Sequence, residues 1–60
     1  MASLQLTAGS VHSEPKGSVT FDGGCVKLLD AKGKMVFGYK LRDGETIRRG
    51  EKEDEYIVEL

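Results

Sequence analysis

The sequence predicts an all-β protein: a small curled antiparallel meander or barrel-like sheet of about five strands, with an N-terminal arm. Three observations point there. Apolar side chains recur with period 2 rather than 3.6 across residues 25–29, 35–41 and 55–60. Eight glycines interrupt most stretches long enough for a helix. Turn dipeptides such as Gly23-Gly24 and Asp43-Gly44 separate the β-branched and aromatic runs.

Residues 1–17 read as the arm and residues 18–60 as a single small β domain. Leu4 and Leu6 alternate, which suits a short strand over residues 3–7. Residues 8–17 read as a loop, with Gly9, Ser10, Ser13, Gly17 and the only proline, Pro15, as breakers. Val19-Thr20-Phe21 is the first β run of the domain, and Asp22-Gly23-Gly24 turns the chain into residues 25–29. Asp30-Ala31-Lys32-Gly33 reads as a type I turn closed by a glycine at positive φ. Residues 35–41 form the longest strand. Asp43-Gly44 predicts a tight hairpin that returns residues 45–49 against it. Residues 50–54 turn again, and residues 55–60 make the last strand.

Face agreement tests this arrangement. Pairing Asp30 with Lys34 sets Leu29 against Met35, Lys27 against Phe37 and Cys25 against Tyr39, on the expected core face. The opposite face sets Leu28 against Val36 and Val26 against Gly38, and it too is partly apolar. An open antiparallel sheet is normally apolar on one face only. Val26, Leu28, Val36 and Ile47 therefore form a candidate apolar interface, to be covered by the arm, by closure of the sheet or by another chain. The hairpin at Asp43-Gly44 fits less well: pairing Arg42 with Glu45 sets Thr46 against Leu41 on the core face and sends Ile47 to the other. A bulge or a curl of the sheet would reconcile them.

Composition narrows the function classes. Nine basic and ten acidic side chains leave a net charge of −1, with 32% of residues charged and 38% hydrophobic. This is the balance of a soluble single domain, with no apolar run of bilayer length. Residues 1–6 lack a basic region followed by an apolar one, so no signal peptide is expected, and one unpaired cysteine suits a reducing, cytoplasmic setting. A chain this short buries about 60% of its unfolded surface, and its core supplies roughly 3–5 kcal/mol. One cysteine closes no internal disulfide, and one histidine and one cysteine are too few for structural zinc. Self-association or docking on a partner is the remaining outside source of stability, and marginal folding of the chain on its own is the alternative.

Chemical motifs are sparse. Cys25 and His12 are the only thiol–imidazole pair, with Cys25 at a strand start and His12 in a loop, so no catalytic role is assigned. The acidic stretch Glu51, Glu53, Asp54, Glu55 lacks the spacing and glycine of a calcium loop. Gly23-Gly24 lacks a phosphate-loop frame and a following helix. No metal, cofactor or enzymatic activity is expected. Residues 41–50, with Asp43-Gly44 and Arg49-Gly50, resemble the hairpins of biotinyl and lipoyl carrier domains. They lack the modified lysine those hairpins carry, and no family is assigned from them.

Two functional readings follow. The first is a non-catalytic interaction module that binds a protein partner or self-associates, as a regulator or inhibitor of a larger protein. Its candidate contacts are Lys40, Arg42, Arg48 and Arg49, which are charged and close in sequence, and arginine is enriched at interfaces. The second is a nucleic-acid-binding small β-barrel. Residues 16–49 carry eight basic side chains against four acidic ones, and Phe21, Phe37 and Tyr39 would offer stacking surfaces. The net negative charge and the 7% aromatic content weigh against it. The acidic residues 51–59 would, on a third idea, screen the basic strands.

Overall fold

A computed structural model describes all of residues 1–60 as seven strands in two stacked sheets, without a helix and without barrel closure. In chain order they are β1 (Ala2–Gln5), β2 (Val11–Glu14), β3 (Ser18–Asp22), β4 (Cys25–Leu29), β5 (Met35–Lys40), β6 (Thr46–Arg49) and β7 (Glu55–Glu59). One sheet has the order β2-β1-β7-β6 and the other β3-β4-β5. The all-β class is as expected from the sequence. The count is seven strands rather than about five.

The three-stranded sheet follows its turn chemistry. Asp22 pairs with Cys25 across Gly23 and Gly24, whose φ values are 61° and 79°. Two successive positive φ values match the twist of a two-residue hairpin, and glycine adopts them without strain. In the next turn Asp30 Oδ1 accepts from the amides of Lys32 and Lys34. The Asp30 amide donates to the Lys34 carbonyl at 2.8 Å, which closes the expected register.

A bulge then changes the faces. Leu29 lies opposite Met35 as expected, but the register shifts between Leu28 and Leu29. Val36 is the extra residue, so Leu28 meets Phe37 and Val26 meets Tyr39. A slip of one residue moves a strand's side chains to the opposite face. Val26 and Leu28, expected as an apolar interface, are instead buried between the sheets at 0% and 1% exposure. Cys25 and Lys27 turn away from the core.

The N-terminal segment is integral to the fold. β1 lies between β2 and β7, antiparallel to the first and parallel to the second, so the arrangement is not purely antiparallel. Ala2 and Leu4 are fully buried, and Leu4 forms the core cluster with Val26 and Val58. Residues 8–17, expected as a loop, contain β2. The Leu6 amide donates to the Ser10 carbonyl across Gly9 and folds β2 back on β1. Gly9 and Ser10 turn the chain before the strand and Pro15 and Gly17 follow it, while Ser13, expected as a breaker, pairs with Ser3 inside it.

The expected hairpin at Asp43-Gly44 does not form. A turn is present, with the Glu45 amide donating to the Arg42 carbonyl at 3.0 Å, but β5 and β6 belong to different sheets. The chain crosses the sandwich there, and β6 pairs with β7. This resolves the face conflict: Ile47 lies opposite Val58 and packs on the core instead of lying opposite Lys40.

The core is thin. Only Ala2, Leu4, Val26, Leu28 and Val58 are buried. Leu6, Val19, Phe37, Tyr39, Leu41, Ile47 and Tyr56 complete it as half-buried neighbours. Specific contacts at the rim therefore matter more than they would in a larger domain.

Candidate functional site

The four expected contact residues do not form one surface. Lys40 is opposite Cys25 on the outer face of the three-stranded sheet. Arg42 lies in the β5–β6 corner and lines a cleft. Arg48 and Arg49 are successive strand residues and point to opposite faces. Arg48 pairs with Glu59 in the only ion pair of the molecule, and both partners are about half exposed. The Arg49 guanidinium lies 5.9 Å from the Tyr56 ring centroid. Closeness in sequence placed these four together, and strand alternation and the sheet crossover disperse them. Of the expected apolar interface, Val36 alone is exposed, while Ile47 is half-buried against the core.

The side chains expected to act together for nucleic acid are also divided. Lys27 and Lys40 share the outer face of β4 and β5, while Phe37 and Tyr39 turn inward. Phe37 stacks on His12 of β2, with ring centroids 3.8 Å apart and planes inclined by 13°. That contact ties the two sheets and places the imidazole away from Cys25, which is on the other face. Glu51, Glu53 and Asp54 lie in the β6–β7 turn and Glu55 opens β7; of the acidic residues 51–59, Glu59 alone pairs with a basic strand residue, Arg48. No group of three or more His, Cys, Asp or Glu side chains is gathered to hold a metal ion, and no helix is long and apolar enough to cross a membrane.

Two features emerge that sequence reasoning missed. The first is the corner cleft, about 360 Å³ and open to solvent, walled by Leu6, Ala8, Tyr39 and Leu60 with Thr7, Arg42, Asp43 and Glu45 at its polar side. Glu45 is its hub. Its Oε1 accepts from the Arg42 amide at 2.7 Å and the Tyr39 hydroxyl at 2.8 Å, and its Oε2 accepts from the Thr7 hydroxyl at 2.7 Å. The Arg42 amide, then the Thr7 and Tyr39 hydroxyls, hold the Glu45 carboxyl below its ordinary value. The hydrogen bond to Glu45, then burial and the charge of Glu45, push the Tyr39 hydroxyl above its ordinary value, with Arg42 pulling weakly the other way. The Arg42–Glu45 spacing of three residues was a legible local signal for a side-chain-to-backbone turn bond. The contacts from Thr7 and Tyr39 come from other strands' ends and had none.

The second feature is the outer edge of β5. It is the longest strand and lies at the end of its sheet. Met35 and Val36 stand about half exposed at its start, and Lys40 ends it.

No family model matches the chain, and neither a curated protein nor a solved structure shows detectable similarity to it.

A free strand edge can accept another chain through main-chain hydrogen bonds, with exposed side chains selecting the partner. Exposed apolar residues beside it add contact area. β5 carries Val36 from the expected apolar set and Lys40 from the expected charged set. On β6, the other edge strand that carries both kinds of candidate, Ile47 packs on the core, so β5 is the strand on which an exposed apolar candidate meets a charged one.

Proposed function

We propose that the chain is a non-catalytic interaction module that binds a protein partner, acting as a regulator or inhibitor of a larger protein. The open edge of β5, with Met35 and Val36 exposed at one end and Lys40 at the other, carries this reading. The thin core supports it further, because docking on a partner would cover apolar surface that the chain itself leaves exposed. Cys25 and His12 lie on different faces, which supports a role without nucleophilic chemistry. One unpaired cysteine suits a cytoplasmic setting. The nucleic-acid alternative keeps the lysines of the outer sheet face but loses Phe37 and Tyr39 as stacking platforms.

The test is site-specific photo-crosslinking in cells. A photoreactive residue replaces Val36, with a control at Ser13 on the opposite sheet. Protein adducts at position 36 and none at position 13 are expected. Nucleic-acid adducts at position 36 would overturn the reading in favour of the alternative.

A further inference from the structure

We propose that the free edge of β5 takes up an acidic, extended segment of a partner protein as a fourth strand of the β3-β4-β5 sheet. The inference rests on the protein-binding reading and names the partner's chemistry.

The backbone pattern defines the docking groups. The Leu41 amide donates to the Gly24 carbonyl, and Lys40 pairs with Cys25 in the next register position. In an antiparallel ladder the residues alternate between bonding inward and outward. Leu41, Tyr39 and Phe37 therefore bond toward β4, while Gly38 and Lys40 direct their N–H and C=O groups to the open side. Glycine inside a strand often marks a close approach of another backbone. Here the Met35 thioether lies over Gly38 and takes the space a side chain would occupy, so the outer surface at that position is apolar.

Charge selects the occupant. Lys27 lies opposite Gly38, and Lys40 follows along the same face. β4 and β5 contain no acidic residue. Neither lysine has an ion-pair partner, since the only pair is Arg48 with Glu59. An incoming strand that presents carboxylates on the face of Lys40, with Lys27 one strand further in, complements this edge. A second copy, offering its acidic β6–β7 turn, is the competing occupant.

The test uses the isotope-labelled full chain and three synthetic strand peptides in which valine alternates with glutamate, glutamine or lysine. The glutamate peptide is expected to shift the Gly38 and Lys40 amides and slow their exchange. It should bind about fivefold tighter than the glutamine peptide, and lose that margin at high salt. Gly38→Pro, whose missing N–H faces solvent in the free protein, should abolish binding and leave the remaining spectrum intact. Lys40→Glu should reverse the preference toward the lysine peptide, and it serves if the proline variant fails to fold. Equal binding of the glutamine peptide overturns the acidic selectivity and leaves the protein-binding reading standing. Shifts elsewhere, or no peptide binding while crosslinks at position 36 still capture protein, overturn strand addition alone. Concentration-dependent self-association abolished by Gly38→Pro assigns the edge to a second copy and overturns the proposal.

Discussion

The Tyr39 hydroxyl donates to Glu45 Oε1 at 2.8 Å, and that bond spans the corner where the chain leaves one sheet for the other. The same carboxylate accepts from the Arg42 amide and from Thr7, just beyond the end of β1. Three parts of a thinly packed molecule thus meet on one side chain.

Glu45 should make the fold sensitive to acid. Its carboxyl is held below the ordinary value of 4.5 by the donors around it. A depressed folded value means the stabilisation is present above 4.5 and is lost as pH falls through the lower folded value. Thermal unfolding followed by circular dichroism should show Glu45→Gln less stable than the parent at neutral pH, with the gap closing in acid. A gap unchanged by pH would exclude the carboxylate as the cause.

Tyr39 gives the opposite limb. Its hydroxyl is raised above the ordinary value of 10.0. The stabilisation is then present below 10.0 and lost as pH rises through the folded value. Tyr39→Phe should be less stable at neutral pH and should lack this alkaline loss. Unfolding curves taken through the alkaline range compare the two proteins directly.

The His12–Phe37 stack ties β2 to β5 across the sandwich. Aromatic pairs of this kind contribute about 0.5–1.5 kcal/mol beyond buried area. His12→Ala should lose at least that amount in urea unfolding, and His12→Phe should recover most of it. Equal stability of the two variants would show that a ring at position 12 contributes nothing to stability.

β1 should be indispensable. Leu4 is fully buried among Val26 and Val58, and truncating such a leucine costs about 2–5 kcal/mol. That is comparable to the roughly 3–5 kcal/mol a core of this size supplies. Leu4→Ala should be largely unfolded by amide NMR dispersion, as should a chain lacking residues 1–5. A folded truncated chain would show that β1 is dispensable.

Gly17 should tolerate no side chain. A Cβ there would overlap the Leu29 carbonyl and the Glu14 side chain, where the chain passes from β2 into β3. Gly17→Ala should lower the melting temperature clearly. Gly24→Ala, which meets open space and has only its φ of 79° to strain it, should cost roughly 1 kcal/mol.

Much of the local chemistry was legible, β2 and the turn at Asp43-Gly44 excepted. The Gly23-Gly24 hairpin, the Asp30–Gly33 turn, the β6–β7 turn and the strand runs 25–29 and 35–40 all follow from neighbours a few residues apart. The candidate site was far less legible. Val26 and Leu28 look like a second apolar face only until the unpaired Val36 is counted, and one extra residue reverses the strand. Arg42, Arg48 and Arg49 look like a cluster until a sheet crossing and strand alternation separate them.

The all-β class, most turns and the small size of the core were already written in the chain, because period 2, glycine φ preferences and residue counts are local quantities. Only the tertiary structure decided that β1 runs parallel to β7 at the centre of a sheet, that residues 42–45 form a crossing rather than a hairpin, and that β5 is left with a free edge. Those outcomes depend on pairings between residues some fifty positions apart, such as Leu4 with Tyr56. Their free energy comes from burying Leu4, Val26 and Val58 together, which no local pattern encodes.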